Sequence, residues 1–371
     1  MAKIDNLFHL LHANHGSDLH LSAGNPPLLR IYGDLARVDA PVVTTEELLA
    51  VLREMVPMER VQAFEQTGDL DFAYEIPGLA RYRANFFRQN RGISAVFREI
   101  PQRISTVEEL GLPIMLRELA LLPKGLVLVT GPTGSGKSTS LYSILQLLNK
   151  PDVNAITLED PVEYRIDGIR QVQLNVRAGM TFASGLRSIL RQDPDVIMVG
   201  EIRDSETAQI AVQAALTGHL VLSTLHTNDA PGAVSRLMEM HIEPYLVASV
   251  LLCSFAQRLV RKVCPHCAEP YDPPRALLGL FGIKDAEGAT FRRGKGCYHC
   301  GNTGYLGRIG IFEVMPVTPE IQEAIVRRAH AQEISAIAQR QGVMNTLAQD
   351  AARKVRAGIT TVEEALRAAM V

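Results

Sequence analysis

Residues 126–139 read LVLVTGPTGSGKST, an apolar run that leads into a glycine-rich loop. From Gly131 to Ser138 the loop fits the pattern GxxxxGK followed by Ser or Thr. The apolar run predicts a buried strand and the residues after it predict a helix, which is the context that this pattern requires. The glycines let successive backbone N–H groups point at phosphate oxygens, beside the positive end of the helix. The stretch predicts a nucleoside triphosphate site in which Lys137 reaches the β- and γ-phosphates and Ser138 holds magnesium.

The bulk composition is that of an ordinary globular protein. A length of 371 residues predicts two or three domains. The chain is 47% apolar and 21% charged, and its net charge of −2 provides no general attraction to nucleic acid. We therefore expect a protein with a sizeable core and no nucleic-acid partner.

Two features bear on the compartment. The N-terminal segment lacks the basic and then apolar layout of a signal peptide. The most apolar segment, at 246–256, is too short to span a bilayer. We therefore expect no transmembrane segment and a cytoplasmic location, where thiols stay reduced. The five cysteines then indicate a metal site rather than disulfides.

The pattern of the chain predicts an α/β fold in five parts. Residues 1–100 mix helices with short strands and predict a small α+β domain, followed by a linker at 101–123. Residues 124–260 alternate strands and helices, which predicts a mostly parallel sheet with helices on both faces. A cysteine-bearing module follows at 261–317, and helices fill 318–371. Capping boxes are predicted at Thr44 with Glu47 and at Thr106 with Glu109.

Carboxylates follow two of the predicted strands. Glu201 ends the stretch DVIMVGE, and ITLEDPVEY supplies Glu159, Asp160 and Glu163. An NTPase needs such groups for magnesium or for water, although solvated strand ends are the alternative. His226 lies at the end of another strand, where α/β sheets place ligands, and its position predicts contact with the γ-phosphate. The alternative is an ordinary surface or core histidine.

Two arginine pairs could assist phosphoryl transfer, which spreads negative charge over the γ-phosphoryl oxygens. Arg81 and Arg83 lie two residues apart on one face of a predicted strand. Arg187 and Arg191 lie one helical turn apart, just before the strand that leads to Glu201. Ordinary solvated surface is the alternative for each pair.

Four cysteines predict a metal site. Cys264 with Cys267 and Cys297 with Cys300 form two CxxC pairs with 29 residues between them. Four thiolates suit a tetrahedral structural zinc, and glycines at 296 and 301 permit the tight turns. His266 and His299 are possible substitutes for a cysteine, although the paired spacing favours a site of four thiolates. Cys253 is predicted to lie in the core, inside an apolar helix.

The motifs GPTGSGKST, LEDPVEY, RQDPDVIMVGEIRD and TGHLVLSTLHTND occur in this order. They resemble the secretion ATPases of type II secretion and type IV pili, and the resemblance extends over essentially the whole chain. It implies a RecA-like P-loop ATPase core, a PAS-like N-terminal domain and a ring-shaped homo-hexamer. It also implies that ATP is hydrolysed between the core of one subunit and the N-terminal domain of its neighbour.

The resemblance assigns roles to individual residues. Glu163 matches the general base, Glu201 the Walker B glutamate and His226 the histidine box. Arg81, Arg83 and Arg98 match arginines that the N-terminal domain offers to nucleotide, and Arg187 and Arg191 match core arginines. The Walker A loop, called the phosphate loop below, consists of Gly131, Pro132, Thr133, Gly134, Ser135, Gly136, Lys137, Ser138 and Thr139.

The subfamily signals are mixed. GSDLHLSAGNPPLLRIYGDL is similar to the retraction motors (PilT-like), whereas GCYHCGNTGYLGRIGIFEVM is similar to the assembly and secretion motors (PilB-like and GspE-like). The tetracysteine zinc module is typical of the second class, which we favour. Assembly motors usually carry a further N-terminal domain that docks to the membrane, and we expect this chain to lack that domain.

The resulting hypothesis is an ATP-driven motor. Domain motions would act on an inner-membrane platform protein of a pilus or secretion machine, which places the chain in the cytoplasm, peripheral at the inner membrane. Pilus retraction is the alternative within the same family. A nucleic-acid translocase is an alternative of another class, but balanced charge and 5% aromatic residues argue against a basic, aromatic-lined channel. A scaffold that binds nucleotide without hydrolysis would lack a carboxylate, yet Glu163 and Glu201 are both present.

Overall fold

A computed structural model of the protein describes residues 4–14, 16–31, 34–100, 103–119, 122–175, 178–283 and 288–369. These residues belong to two units, Met1–Arg103 and Ile104–Val371. Parts of the predicted α+β domain at 1–100 and of the predicted linker at 101–123 lie outside the described residues.

The first unit contains a six-stranded antiparallel sheet in the order β3-β2-β1-β6-β5-β4. Its strands are β1 Gly16–Ser22, β2 Leu28–Ile31, β3 Asp34–Arg37, β4 Asp69–Ile76, β5 Ala80–Gln89 and β6 Gly92–Ile100. Its helices are α1 Asp5–Ala13, α2 Thr45–Met55 and α3 Met58–Thr67.

The alternation of the strands decides which side chains are buried in this unit. On β5, Tyr82 and Phe86 are fully buried in the core that the sheet shares with the helices, whereas Arg81 and Arg83 lie on the opposite face. The predicted capping box is confirmed, because Thr44 Oγ1 accepts the N–H of Glu47 while the Glu47 carboxylate accepts the N–H of Thr44.

The second unit contains a seven-stranded sheet in the order β15-β12-β7-β11-β10-β8-β9 and a separate pair, β13-β14. The strands are β7 Gly125–Thr130, β8 Ala155–Glu159, β9 Arg170–Gln173, β10 Val196–Val199, β11 Leu220–Leu225, β12 Leu251–Val263, β13 Ala268–Pro270, β14 Arg292–Gly294 and β15 Tyr305–Pro316. The helices are α4 Ile114–Leu119, α5 Lys137–Leu148, α6 Phe182–Ile189, α7 Ser205–Leu216, α8 Gly232–Glu239, α9 Pro244–Val250, α10 Arg275–Leu280, α11 Pro319–Val326, α12 Ala331–Arg340, α13 Leu347–Arg356 and α14 Val362–Ala369.

All neighbouring strands of the large sheet are parallel except β15, which pairs with β12 in the antiparallel sense. The strand β7 is buried on both faces. Leu126 and Leu128 belong to one apolar core, whereas Val127 and Val129 belong to the core on the other face, which includes residues of α5. The predicted parallel sheet with helices on both faces is confirmed, and burial on both faces explains why β7 is a continuous apolar run.

The segment at 246–256 corrects one prediction. Cys253 was expected inside an apolar helix, but the segment divides into the end of α9 and the start of β12, and Cys253 lies on β12. The prediction that it belongs to the core is right, since its side chain is 0% exposed. The reason for the error is that β12 lies between β7 and β15 and is buried on both faces, so its apolar run lacks the period of two that marks a strand.

The last described helix, α14, is attached directly to the large sheet. The carboxylate of Glu364 on α14 accepts the backbone N–H of Arg261 on β12 at 3.1 Å and also pairs with the guanidinium groups of Arg261 and Arg367. Burial opposes ionisation of Glu364, but these donors prevail and lower its pKa to about 2. The division into five parts at 1–100, 101–123, 124–260, 261–317 and 318–371 stays a prediction.

Among the described residues, none of the helices combines the length and the hydropathy that a membrane-spanning helix needs.

Candidate functional site

The phosphate loop connects β7 to α5 in a conformation that requires glycine. Gly131 has φ +143° and Gly136, the residue before α5, has φ +87°. A Cβ atom on Gly131 would lie 2.5 Å from the carbonyl oxygen of Gln257 and 2.7 Å from Ser135 Oγ. At Gly131 the backbone of the loop therefore lies directly against the backbone of β12, and a larger residue would not fit there.

Two buried groups of this loop are suited to phosphate. Lys137 Nζ donates to the carbonyl oxygens of Gly131 at 2.8 Å and Pro132 at 3.0 Å, so the ammonium lies inside the curl of the loop. Burial lowers the pKa of Lys137, and the negative charge of Glu201 opposes that shift. Ser135 Oγ is buried and has no hydrogen-bond partner among the described residues. A phosphate oxygen in the loop would supply an acceptor to both groups.

We predict that Gly131→Ala abolishes nucleotide binding or lowers stability by about 1–3 kcal/mol, because both the left-handed backbone and the close contact with Gln257 disfavour a Cβ atom. The matched control is Gly134→Ala, where φ is +79° but nothing lies within 4 Å of the added atom. Binding of a fluorescent ADP analogue and thermal unfolding measure both effects. Equal behaviour of the two variants would contradict the packing argument.

Glu201 and His226 meet at the carboxyl ends of β10 and β11. Thr224 of β11 holds the segment that follows β10, because its Oγ1 donates to the carbonyl of Gly200 at 2.8 Å and its carbonyl accepts the N–H of Ile202 at 3.1 Å. His226 Nε2 lies 3.5 Å from Glu201 Oε2.

The charge of Glu201 is set by its neighbours. Burial raises the pKa of this carboxyl group, but the contacts with Arg203 and His226 outweigh burial and lower it. Glu201 is therefore a carboxylate at neutral pH, electrostatically coupled to Lys137. The structure places Glu201 in contact with His226 and near enough to Lys137 to affect its pKa, while the roles of these residues toward nucleotide stay predictions.

Two acidic residues near the end of β8, Glu159 and Glu163, have different surroundings. Glu159 is 3% exposed, and its oxygens accept from Tyr142, Thr157 and Gln171. Burial raises the pKa of Glu159, and these hydrogen bonds only partly oppose the rise. Glu163 lies further along the loop and is half-buried, and its backbone N–H donates to Tyr142 at 3.1 Å. Glu163 thus lies on a loop that is hydrogen-bonded to the helix following the phosphate loop.

Residues of β12 complete the wall of the site, and they were not identified as site residues from the sequence motifs. Gln257 accepts a hydrogen bond from Ser140 of α5 at 2.7 Å. Arg258 lies 3.2 Å from the position of a Cβ atom on Gly131 and donates to the carbonyl oxygen of Asn228 at 3.0 Å. The signal that was available is a polar pair within an apolar run, LLCSFAQRLV. Arg258 therefore connects the phosphate loop to the segment that follows His226.

The two arginines that were predicted in the ATPase core form ion pairs or hydrogen bonds with residues near them. Arg187 on α6 forms an ion pair with Glu206 on α7. Arg191 donates to the carbonyl oxygen of Arg187 at 3.0 Å and to Ser188 Oγ at 3.3 Å. Both arginines lie at the surface, and a role for them in phosphoryl transfer stays a prediction.

The N-terminal arginines share one face of the sheet in the first unit. Arg83 on β5 and Arg98 on β6 are direct cross-strand neighbours. Arg98 Nε donates to the buried carboxylate of Asp18 at 2.8 Å, and Arg83 lies 3.8 Å from Asp71. Arg81 lies one pleat further along β5, on the same face. The structure thus groups three arginines, and their contact with nucleotide stays a prediction.

The four predicted metal ligands form a cluster at the end of the β12–β15 pair. Their Sγ atoms all lie within 4.8 Å of one another, with 3.9 Å between Cys264 and Cys297, 3.9 Å between Cys267 and Cys300, and 3.7 Å between Cys297 and Cys300. Zinc–sulfur bonds of about 2.3 Å give a tetrahedron with edges of about 3.8 Å. The arrangement therefore fits a tetrahedral metal, and the sulfurs are too far apart for disulfides.

Backbone groups favour the thiolate form of one cysteine of the cluster, Cys300, whereas burial raises the pKa of Cys264 and of Cys267. Burial opposes ionisation of Cys300, but the N–H groups of Cys297 at 3.2 Å and Gly304 at 3.3 Å lower its pKa. Gly296 and Gly301 have positive φ, as the tight turns were predicted to require. His266 and His299 stack on each other with ring centroids 4.0 Å apart and do not belong to the cluster of four sulfurs.

The fold and this site define a nucleotide-binding α/β protein with a phosphate loop and a tetracysteine centre. The model of the Type II/IV secretion system protein family matches residues 91–367, and the chain belongs to this family. The predicted family and fold class are confirmed.

Individual relatives give the same result. The chain is 43% identical over 364 residues to the type II secretion system protein E of Pectobacterium carotovorum subsp. carotovorum, covering 95% of this chain and 72% of that protein. It is 54% identical over 252 residues to the type IV pilus assembly ATPase PilB of Thermus thermophilus, covering 67% of this chain and 28% of PilB. The crystal structure of the pilus retraction motor PilT with bound ADP matches with a TM-score of 0.79 at 30% identity, covering 99% of this chain and 96% of that one. The chain spans about half or less of the length of the first curated relatives that it matches.

Proposed function

We propose that this chain is an ATPase whose hydrolysis site lies at the carboxyl end of the parallel sheet. The observation that carries the proposal is the convergence of the phosphate loop, Glu201 and His226 at this edge, with Glu201 coupled electrostatically to Lys137. Neighbouring parallel strands deliver all three, which is how open α/β sheets build nucleotide sites. The relative PilB is named an ATPase, and the similar PilT structure contains ADP. Both facts support ATP as the nucleotide of this chain.

Each group has a role that its position supports. Backbone N–H groups of the phosphate loop hold the β- and γ-phosphates, and Lys137 neutralises their charge. Ser138, exposed in the first turn of α5, and the Glu201 carboxylate are the residues that would hold magnesium. The chemistry that magnesium would supply at these two residues is neutralisation of the negative charge on the phosphate oxygens. Glu163 orients and deprotonates the attacking water, and His226 contacts the γ-phosphate.

The arginines extend the proposal beyond one chain. We assign Arg81, Arg83 and Arg98 to the nucleotide of a neighbouring subunit in a homo-hexamer. An arginine supplied by another subunit stabilises the charge of the transferred phosphoryl group and is worth about 10³–10⁵ in rate. We assign Arg187 and Arg191, which belong to the ATPase core, to stabilise the same negative charge on the transferred phosphoryl group.

The proposed work of the ring is mechanical. Domain motions driven by hydrolysis act on an inner-membrane platform protein and power pilus assembly or type II secretion, with the chain in the cytoplasm and peripheral at the inner membrane. The tetracysteine cluster and the relatives PilB and protein E favour this class. Pilus retraction is a second candidate, favoured by the structural similarity to PilT over 99% of the chain.

The tetracysteine centre is proposed to bind zinc in a structural role. Four protein thiolates fill all positions of a tetrahedral ion, which leaves none for substrate. The centre joins the ends of β12 and β15, so its metal would stabilise this antiparallel pair of strands. One strand of the pair, β12, also supplies Gln257 and Arg258 to the nucleotide site.

Substitution of the two proposed catalytic glutamates tests the function. Glu163→Gln and Glu201→Gln keep the size of each side chain but remove its charge and basicity. We expect each to lower the turnover of magnesium–ATP by about 10²–10⁴ while the chain still binds nucleotide. Phosphate release and binding of a fluorescent ATP analogue measure the two quantities.

The matched control is Glu239→Gln, an exposed glutamate that pairs with Arg236. It should hydrolyse ATP as the wild type does. Turnover that survives in both glutamine variants would refute the proposal, and strong stimulation of the wild type by single-stranded DNA would favour a nucleic-acid translocase instead.

A further inference from the structure

A buried tyrosine on the helix of the phosphate loop contacts the loop that carries Glu163. Tyr142 lies on α5, which begins at Lys137, and is 1% exposed. Its hydroxyl donates to Glu159 Oε2 and accepts the backbone N–H of Glu163 at 3.1 Å and that of Tyr164 at 3.5 Å. One hydroxyl group therefore joins three points of the site.

Glu159 fixes the direction of this hydroxyl. Its second oxygen, Oε1, accepts from Thr157 Oγ1 and from Gln171 Nε2 at 3.1 Å, so neither oxygen is left without a donor. With its proton directed at Glu159, the oxygen of Tyr142 presents its lone pairs to the loop. A carboxylate engaged in this way orients other groups rather than acting on water or metal, which distinguishes Glu159 from Glu163.

Other side chains hold the same loop from a different element. Gln173 of β9 accepts the N–H of Val162 at 3.4 Å, and Gln171 of β9 accepts the N–H of Ile166 at 2.8 Å. Tyr142 holds the segment between these two anchors. Of these three anchors, Tyr142 is the one that belongs to the helix of the phosphate loop.

A second contact follows the same route. The ring of Tyr164 packs edge-on against the ring of Tyr142, with centroids 4.9 Å apart. The loop after β8 is thus joined to Tyr142 through a ring contact as well as through hydrogen bonds.

We propose that Tyr142 is a positioning residue for Glu163: held by Glu159, its hydroxyl ties the backbone of Glu163 to the helix that begins at Lys137. This inference rests on the proposed role of Glu163 as the base. The water-activating carboxylate and the phosphate-binding helix then move as one piece. Tyr142 is 1% exposed, so its effect on turnover is exerted through the backbone of Glu163.

The test uses Tyr142→Phe in the full chain, which keeps the ring and removes the hydroxyl. We expect hydrogen exchange of the backbone amides in peptides covering 160–166 to accelerate by roughly tenfold, since the N–H of Glu163 loses its acceptor. We also expect kcat for ATP to fall by about ten- to hundredfold, because the base is displaced, while the affinity for ADP stays within about twofold.

The control is Tyr271→Phe, which removes another tyrosine hydroxyl that accepts a backbone N–H, that of Val362 at 3.3 Å, outside the nucleotide site. Its exchange at 160–166 and its kcat should equal those of the wild type. If Tyr142→Phe folds poorly, Glu159→Gln tests the same link by weakening the group that orients the hydroxyl, with the same expected changes. Unchanged exchange at 160–166, or unchanged kcat despite faster exchange, overturns the inference.

A double-mutant cycle separates positioning from general loss of structure. If Tyr142 acts through Glu163, then Tyr142→Phe combined with Glu163→Gln loses no more turnover than Glu163→Gln alone. Additive losses would overturn the inference. If Glu163→Gln by itself retains full turnover, the base assignment fails, whereas the exchange measurement still decides whether Tyr142 holds the loop.

Discussion

Replacing Lys137 by methionine is expected to lower the turnover of magnesium–ATP by a factor of about 10²–10³ and to weaken nucleotide binding as well. The methionine side chain nearly matches lysine in length but removes the ammonium from the curl of the loop, where it now donates to Gly131 and Pro132. The charge matters because the lysine is the loop's own cation and is 9% exposed, so solvent cannot replace it. Phosphate release at saturating magnesium–ATP and ADP titration measure the two losses.

The matched control for this charge is Lys124→Met. Lys124 is an exposed lysine directly before β7, and its replacement should leave turnover within about twofold of the wild type. A Lys137→Met variant that hydrolyses ATP at the wild-type rate would show that the glycine-rich loop is not the phosphate site.

Loss of one cysteine of the cluster is the second large effect. Cys264→Ala is expected to abolish stoichiometric zinc binding and to lower the stability of the chain by several kcal/mol, since a structural zinc supplies on the order of 10 kcal/mol. Cys264 directly follows β12 and is 0% exposed, so the vacated position cannot be filled by solvent without opening the hairpin end. Metal content per chain and the thermal unfolding midpoint measure the effect.

Cys253→Ala controls for the loss of a buried thiol. Cys253 is also 0% exposed but lies on β12 away from the other sulfurs, so its replacement should leave the zinc content unchanged and cost only about 1 kcal/mol. Equal zinc content in Cys264→Ala and the wild type would refute the tetrathiolate site. A wild type that purifies without metal and is unaffected by added zinc would refute it as well.

Local signals were sufficient where a residue's role depends on its immediate neighbours in sequence. The left-handed glycines of the phosphate loop, the cap at Thr44 and the turn glycines beside the cysteines each follow from a few adjacent positions. The same holds for Glu201 and His226, because each follows a strand and parallel strands present their carboxyl ends at one edge. The positions of these residues were predicted and are present, while the roles of Glu201 and His226 toward nucleotide stay predictions.

The start of β12 was wrongly predicted to be helical, because its strand conformation depends on pairing with residues that are distant in the sequence. Its first half reads as the continuation of an apolar helix, and only its position between β7 and β15 makes it a strand. The same position brings Gln257 and Arg258 against the phosphate loop, more than a hundred residues away along the chain. No periodicity in the sequence encodes that neighbour, since which strands pair depends on how the whole sheet is assembled.

The sequence by itself determined that this chain has a phosphate loop, a pair of carboxylate-bearing strand ends and a set of four thiols, because these are fixed by spacing within a few residues. Only the tertiary structure decided which buried groups support them. Tyr142 and Glu159 lie on different elements, and it is the packing of α5 against the end of β8 that turns them into the anchor of Glu163. The physical reason is that hydrogen bonds between distant segments depend on three-dimensional packing, which a local pattern does not specify.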